Sequence, residues 1–227
     1  MAEPFIEICR LAIESPASEI AVRLQSSQIL SVKEKIVRLL KQDPVRWHAL
    51  DIVAGLNIET ACIGAGFVRN LVWDHLHGLP SDCRSHDIAV LWFDRERATP
   101  EADLELEQTL RERDAGFDWS VKNQARMHIR NRDEPYFDVG HAMSFWPETA
   151  TAIAARRHGD DCELIAPFGL DDLTNMVLRP TSEANHKVTA VETRLREENW
   201  QTRWTRVTVI ARSLSGSAER DPGSSPG

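Results

Sequence analysis

Gly64 and Gly66 flank Ala65 at the end of an apolar run, and Asp87 heads the next apolar run, 21 positions after Gly66. A turn without bulky side chains that opens a helix lets a phosphate approach backbone N–H groups at the helix N-terminus, where the dipole favours its charge. A carboxylate heading the following strand can then hold a divalent ion against the same phosphates. The glycine turn alone is also a common tight connection, and its spacing is that of neither a P-loop nor a dinucleotide fingerprint. Its pairing with Asp87 is what gives it chemical meaning. Arg69 and Asn70 stand one turn into the helix, within reach of a ligand at its start; ion pairing of Arg69 with Asp74 or Asp87 is the structural alternative.

A second group lies in VKNQARMHIRNR, where Lys122, Arg126, Arg130 and Arg132 gather in an otherwise acidic chain. Lys122 and Arg126, four apart on an expected helical turn, are candidates to grip triphosphate oxygens, Arg126 in a bidentate manner. The plainer reading is a basic face pairing with the acidic stretch TPEADLELE. His75 and His77 lie two apart on a helix and point in different directions, so they make poor joint ligands, and His128 reads first as a packing residue. Trp146, beside Pro147, is a candidate border for a base-stacking pocket. Asp171 and Asp172 follow Gly169 and complement a helix dipole, with metal binding as their functional alternative.

The elements that must position these residues follow from hydrophobic periodicity and its punctuation. Ser31 and Glu34 have capping-box spacing, with Val32, Ile36, Leu39 and Leu40 on one helical face. Asp43 and Pro44 open a second helix. ETACIG reads as a short buried strand, FVRNLVWDHLHG as a helix stopped by Gly78 and Pro80, and Asp87 to Phe93 as a strand. Thr99, Pro100 and Glu101 start a charged surface helix, and FDWSVKN is a third strand. PYFDVGHAMSFW reads as strand then helix, PETATAIAARRHG as a helix begun by proline and ended by glycine, and DCELIAPF as a strand. GLDDLTNMVLRPT gives a short helix and turn, and a last helix is expected over about Glu183 to Trp204. The predicted class is therefore α+β: a small mixed sheet with N-terminal and C-terminal helices. The expected organisation is a helical segment over 1–58, a domain over 59–210 and a disordered Ser/Gly/Pro-rich tail over 211–227.

Composition narrows the function classes. With 27 Lys and Arg against 35 Asp and Glu, the formal net charge of −8 argues against broad, sequence-independent binding of a nucleic-acid duplex. Cys9, Cys62, Cys83 and Cys162 are scattered without a CxxC pair, which suggests neither a disulfide framework nor a zinc cluster and fits a reducing cytoplasm. No apolar run approaches the roughly 20 residues of a membrane span, and MAEPFIEICR carries acids where a signal peptide needs basic residues.

On the turn, the helix and Asp87, the chain resembles the polymerase-β-like nucleotidyltransferase superfamily. AGFVRN, Ala65 to Asn70, is similar to the Gly-Gly-x-Val-Arg-Asp turn of the tRNA-CCA-adding branch. A closer resemblance is to a small bacterial nucleotidyltransferase-like family, through Gly66 to Asp74, Val121 to His128, Trp146 to Ala152 and Ala166 to Leu173. The resemblance implies a nucleotidyltransferase fold and transfer of a nucleotidyl group from a nucleoside triphosphate to an unidentified acceptor. It implies Mg²⁺ (or Mn²⁺) bound through Asp87, with Gly64, Gly66, Arg69 and Asn70 around the phosphates and Lys122 and Arg126 on the leaving pyrophosphate. It casts Arg69 also as an organiser of the metal-binding strand. Where the superfamily has Asp-x-Asp, this chain has Asp87, Ile88 and Ala89, so one metal carboxylate is missing. Candidates for the carboxylate of a neighbouring strand are Asp118 and, less well placed, Asp138, whereas Asp94 and Glu96 lie roughly 23 Å along the Asp87 strand. Ala89 thus motivates an alternative: a catalytically lapsed nucleotide-binding or interaction module.

Overall fold

The computed structural model describes residues 30–83, 87–182, 185–198 and 200–210; the predicted tail and the cysteine at position 9 lie outside them. Two helices open the described chain, α1 (Val32–Gln42) and α2 (Pro44–Ala54). Ser31 and Glu34 close the expected capping box, and the Asp43 side chain accepts from the amides of Val45 and Arg46 to start α2. Both helices bury their apolar faces in the main core, where Ile36, Leu40, Ala49, Leu50 and Val53 pack with the sheet.

The chain then alternates strands and helices: β1 (Cys62–Gly64), α3 (Gly66–His77), β2 (Asp87–Trp92), α4 (Pro100–Arg113) and β3 (Asp118–Asn123). Two short helices, α5 (Gln124–Asn131) and α6 (Val139–Ser144), lead through a 3-10 turn, Thr149–Thr151, to the hairpin β4 (Ala154–His158) and β5 (Asp161–Ile165). The order in the sheet is β3-β2-β1-β4-β5; β2 and β3 run parallel and every other neighbouring pair is antiparallel. A C-terminal segment follows: α7 (Asp171–Thr174), β6 (Val177–Leu178), α8 (Asn185–Glu198), α9 (Trp200–Arg203) and β7 (Thr208–Val209), with β6 and β7 pairing in parallel.

Period-2 alternation divides the sheet into two faces. Ile63, Ile88, Val90, Trp92, Trp119 and Val121 point into the large core beneath α2, α3 and α4. Cys62, Leu91 and Ala154 point the other way and are covered by Val139 and Met143 of α6. Further along that second face Ala89 and Ser120 are half-buried, and Asp87 and Asp118 are exposed.

Two readings from the sequence need correction. PETATAIAARRHG is not a helix but a 3-10 turn followed by β4. Its alanines lie in the sheet: Ala154 and Ala155 are fully buried opposite Gly64 and Ile63. In PYFDVGHAMSFW only the helix forms; Tyr136 instead packs its ring among His128, His141 and Phe145.

Candidate functional site

Gly64 lies opposite Ala154 in the sheet, and the sharp bend follows it, at Ala65, whose φ of 57° and ψ of −126° belong to a region that suits glycine. The lack of a side chain at Gly64 has a packing cause: a Cβ there would come within 2.8 Å of Leu91 Cδ1. At Gly66 a Cβ would make ordinary contacts with Asn70 and Arg69. The Ala65 amide donates to the Ile153 carbonyl at 2.9 Å, and no side chain caps the start of α3.

Behind this turn Arg69 is nearly fully buried. Its Nη1 donates to Thr151 Oγ1 at 2.8 Å, and its Nε and Nη2 donate to Asn70 Oδ1. The guanidinium lies 4.2 Å from the Trp200 ring centroid and 5.3 Å from that of Trp73, so two polar and two aromatic groups take up its charge. Burial, helped by repulsion from Arg194, pushes its pKa down to about 10. Arg69 and Asn70 therefore tie the turn to the Thr149–Thr151 segment and to the C-terminal tryptophans. Asp74, offered as a partner of Arg69, instead accepts from Arg203 Nε at 2.9 Å and Trp204 Nε1 at 2.8 Å.

The basic segment divides in the same way. Lys122 lies near the end of β3 and Arg126 in the first turn of α5, so the two do not share the expected helical turn. Arg126 forms a salt bridge with buried Asp103 of α4, the partnership that the acidic-helix alternative foresaw. Lys122 points to the second face of the sheet and lines a cleft of about 410 Å³. Ala65, Leu91 and Thr151 border the same cleft, and Arg130, Lys187 and Arg194 add their charges to that of Lys122. Phe145, Trp146 and Pro147 supply an aromatic and apolar wall, which puts Trp146 where a stacking residue would stand. The sequence singled out Lys122, Arg130 and Trp146, but not Lys187 or Arg194: both sit on α8, read from the sequence only as a closing helix.

The carboxylates lie beyond one end of this cleft. In the parallel register Asp87 is paired with Asp118, Ala89 with Ser120 and Leu91 with Lys122. Asp87 and Asp118 therefore point to the same face from adjacent strands, about 4.8 Å apart in the sheet and roughly 13 Å from the Leu91–Lys122 pair. Asp138 is occupied otherwise, capping α6 by accepting from the His141 amide at 2.7 Å. Asp172 accepts from the Thr149 hydroxyl and from Arg179; burial alone would raise its pKa, but these partners hold it below the usual carboxylate range. His77 accepts from the Arg206 amide, and its Nδ1 contacts the Trp73 carbonyl.

The pattern of a family described as Nucleotidyltransferase matches residues 51–209. A solved structure described as revealing a CCA-adding enzyme head domain is 32% identical, covers 79% of this chain and 96% of its own, and has a TM-score of 0.71. A CCA-adding enzyme in complex with CTP, at 17% identity and a TM-score of 0.52, aligns over 77% of this chain and 43% of its own. The Thermotoga maritima CCA-adding enzyme complexed with tRNA, at 18% identity and a TM-score of 0.51, aligns over 82% of this chain and 43% of its own. The chain thus spans less than half the length of these two enzymes. A comparison with curated proteins found no match. Among the described residues no helix is long and apolar enough to cross a membrane. With the family pattern running through the strands, the turn and the cleft just described, the chain belongs to the nucleotidyltransferase family and has the polymerase-β-like fold of a CCA-adding enzyme head domain.

Proposed function

We propose that the chain moves a nucleotidyl group from a nucleoside triphosphate bound in the cleft to an acceptor, with one Mg²⁺ or Mn²⁺ ion at Asp87 and Asp118. The observation that carries this reading is the charge of the cleft. In a chain of net charge −8, its described lining holds Lys122, Arg130, Lys187 and Arg194 and no carboxylate. A concave, single-signed field of that kind concentrates a polyanion. The aromatic wall of Phe145 and Trp146 offers a face for a base, and the uncapped start of α3 offers amides for a phosphate. The CTP complex of a CCA-adding enzyme with the same fold supports a triphosphate as the ligand.

The donor set suits one divalent ion. Mg²⁺ is commonly held by one or two carboxylates and completed by phosphate oxygens and water, and Asp87 with Asp118 meets that need. A pair of ions roughly 3.5 to 4 Å apart needs further shared carboxylates, whereas the adjacent positions on this face are Ala89 and Ser120. Among the described residues no group of three His, Cys, Asp or Glu side chains converges to hold an ion. Bound there, the ion would neutralise charge on the transferring phosphate. Lys122 and Arg194 bind the phosphate oxygens, and Arg69 with Asn70 holds the turn in place without touching the ligand. Attack of an acceptor oxygen on the α-phosphorus then breaks the bond to the β-phosphate and releases pyrophosphate. The acceptor is not assigned: a relative was solved with tRNA, while the acidic chain speaks against broad duplex binding.

Release of pyrophosphate from each of the four triphosphates, measured with candidate acceptors, tests this reading. Asp87→Ala should lower transfer by at least about 100-fold at unchanged melting temperature, since Asp87 is exposed; retained activity dismisses the assignment. Ala89 and Ser120 favour a second reading, a module that binds nucleotide and has lost transfer. Ala89→Asp separates the two: a large gain marks a lapsed enzyme, and no gain over an active wild type marks a site that works with two acids.

A further inference from the structure

We infer that Glu148 is a positioning residue that holds Arg194 against the outer phosphates of the bound nucleotide, so that the cleft selects triphosphates over monophosphates. The inference rests on the cleft being a nucleotide site. Glu148 is wholly buried between Pro147 and Thr151, both of which line the cleft. Neither of its carboxylate oxygens accepts a hydrogen bond of regular geometry. Its ion-pair partner is Arg194 on α8, with Nε 3.1 Å from Oε1. Arg194 in turn is one-third exposed, lines the cleft, and carries its guanidinium 5.2 Å from the Trp200 ring.

A carboxylate buried so deeply contributes little stability, because desolvation offsets the attraction of the cations beside it, Arg194 and Arg69. What it does is fix that cation. An arginine free in solvent samples many rotamers and must be immobilised when it binds a ligand, a cost that a preset side chain avoids. The ion pair through Nε, the nitrogen nearest the chain, and the Trp200 ring 5.2 Å from the guanidinium restrain a side chain that lines the cleft. The same end of the cleft is bordered by Thr151 and Ala65, where the uncapped α3 begins. A phosphate chain running from the α3 amides therefore meets Arg194 there, in a cleft that Lys122 also lines. Arg69 shares the Trp200 ring, 4.2 Å from its centroid, but its nitrogens are spent on Thr151 and Asn70. Of the two guanidiniums on that indole, only Arg194 is offered to a ligand.

Calorimetric titration of the full chain with the four ribonucleoside triphosphates and the matching monophosphates, in Mg²⁺, tests the inference. Glu148→Gln keeps the size of the side chain and removes its charge. It should weaken the preferred triphosphate about tenfold, the scale of one charge-assisted contact, and leave the monophosphate within about twofold. Arg194→Gln, at a partly exposed position, should show the same selectivity, and the double variant, which leaves no buried charge unpaired, should be no worse than Arg194→Gln alone. Equal losses for triphosphate and monophosphate, or triphosphate affinity unchanged in either variant, overturn the positioning role and leave the nucleotide site standing. A wild type that binds none of these nucleotides overturns the nucleotide site, and the positioning role with it.

Discussion

Two buried carboxylates, Asp103 and Glu148, stand in regions built by opposite rules. Asp103 joins α4 to the end of β3: its oxygens accept from Trp92 Nε1 at 2.8 Å, from the Asn123 amide at 2.7 Å and from Arg126 Nε at 3.1 Å. Each donor belongs to a different element, so the cluster fixes how β2, β3 and α5 meet. Around the cleft, Glu148 has an ion pair with Arg194 and no hydrogen bond of regular geometry, and Ala65 carries a backbone conformation suited to glycine. Saturated polar clusters hold a fold together, whereas a buried charge short of hydrogen bonds and a strained turn contribute little to stability.

The contrast has measurable consequences. Asp103→Asn should cost the most, about 2 to 3 kcal/mol in urea denaturation, because it removes charge from the acceptor of two buried donors, Trp92 and Asn123, and from the partner of Arg126. A loss below about 1 kcal/mol would mean that the joint is not the brace described here. Ala65→Gly should act in the opposite direction, raising stability by about 1 kcal/mol, since relief of a positive φ exceeds the added freedom of the unfolded chain. A destabilised glycine variant would show that the turn holds no strain.

Glu148→Gln should change stability least, by under about 1 kcal/mol near neutral pH, and its effect should depend on pH in a defined sense. Burial raises the Glu148 pKa above its ordinary 4.5, against the pull of Arg194 and Arg69. The folded state therefore binds the proton more tightly than the unfolded chain. That contribution is fully present below pH 4.5 and is lost as pH rises through the elevated folded value. Wild type should gain stability relative to Glu148→Gln as pH falls through that window; a constant difference from pH 8 to 4 would place the Glu148 pKa at its ordinary value.

Much of the frame was legible because its signals are local. The Ser31–Glu34 box, Asp43 before Pro44, Thr99 before Pro100 and the alternation in Asp87–Trp92 and Asp118–Asn123 each declare an element within a few residues. The turn and β4 at 149–158 were misread because alanine favours a helix where nothing opposes it, while here pairing with β1, far earlier in the chain, draws the segment into the sheet. The same distance effect governs the site. Arg69 looked like a ligand-binding residue beside a glycine turn, yet Trp200 arrives from the far end of the chain to take its charge. Arg126 was drawn away by Asp103 of α4. Lys187 and Arg194 had no local signature, since their meaning comes from α8 passing over a cleft whose floor is set by β2 and β3.

Thermal unfolding with each of the four ribonucleoside triphosphates, with and without Mg²⁺, tests the central claim most directly. A ligand at 100 times its Kd adds about 2.7 kcal/mol, which for a chain of this size is a rise of roughly 5 to 10 °C. The cationic cleft beside the Asp87–Asp118 pair predicts a rise of that order, dependent on Mg²⁺, with at least one triphosphate. No rise with any of the four at millimolar concentration would contradict it.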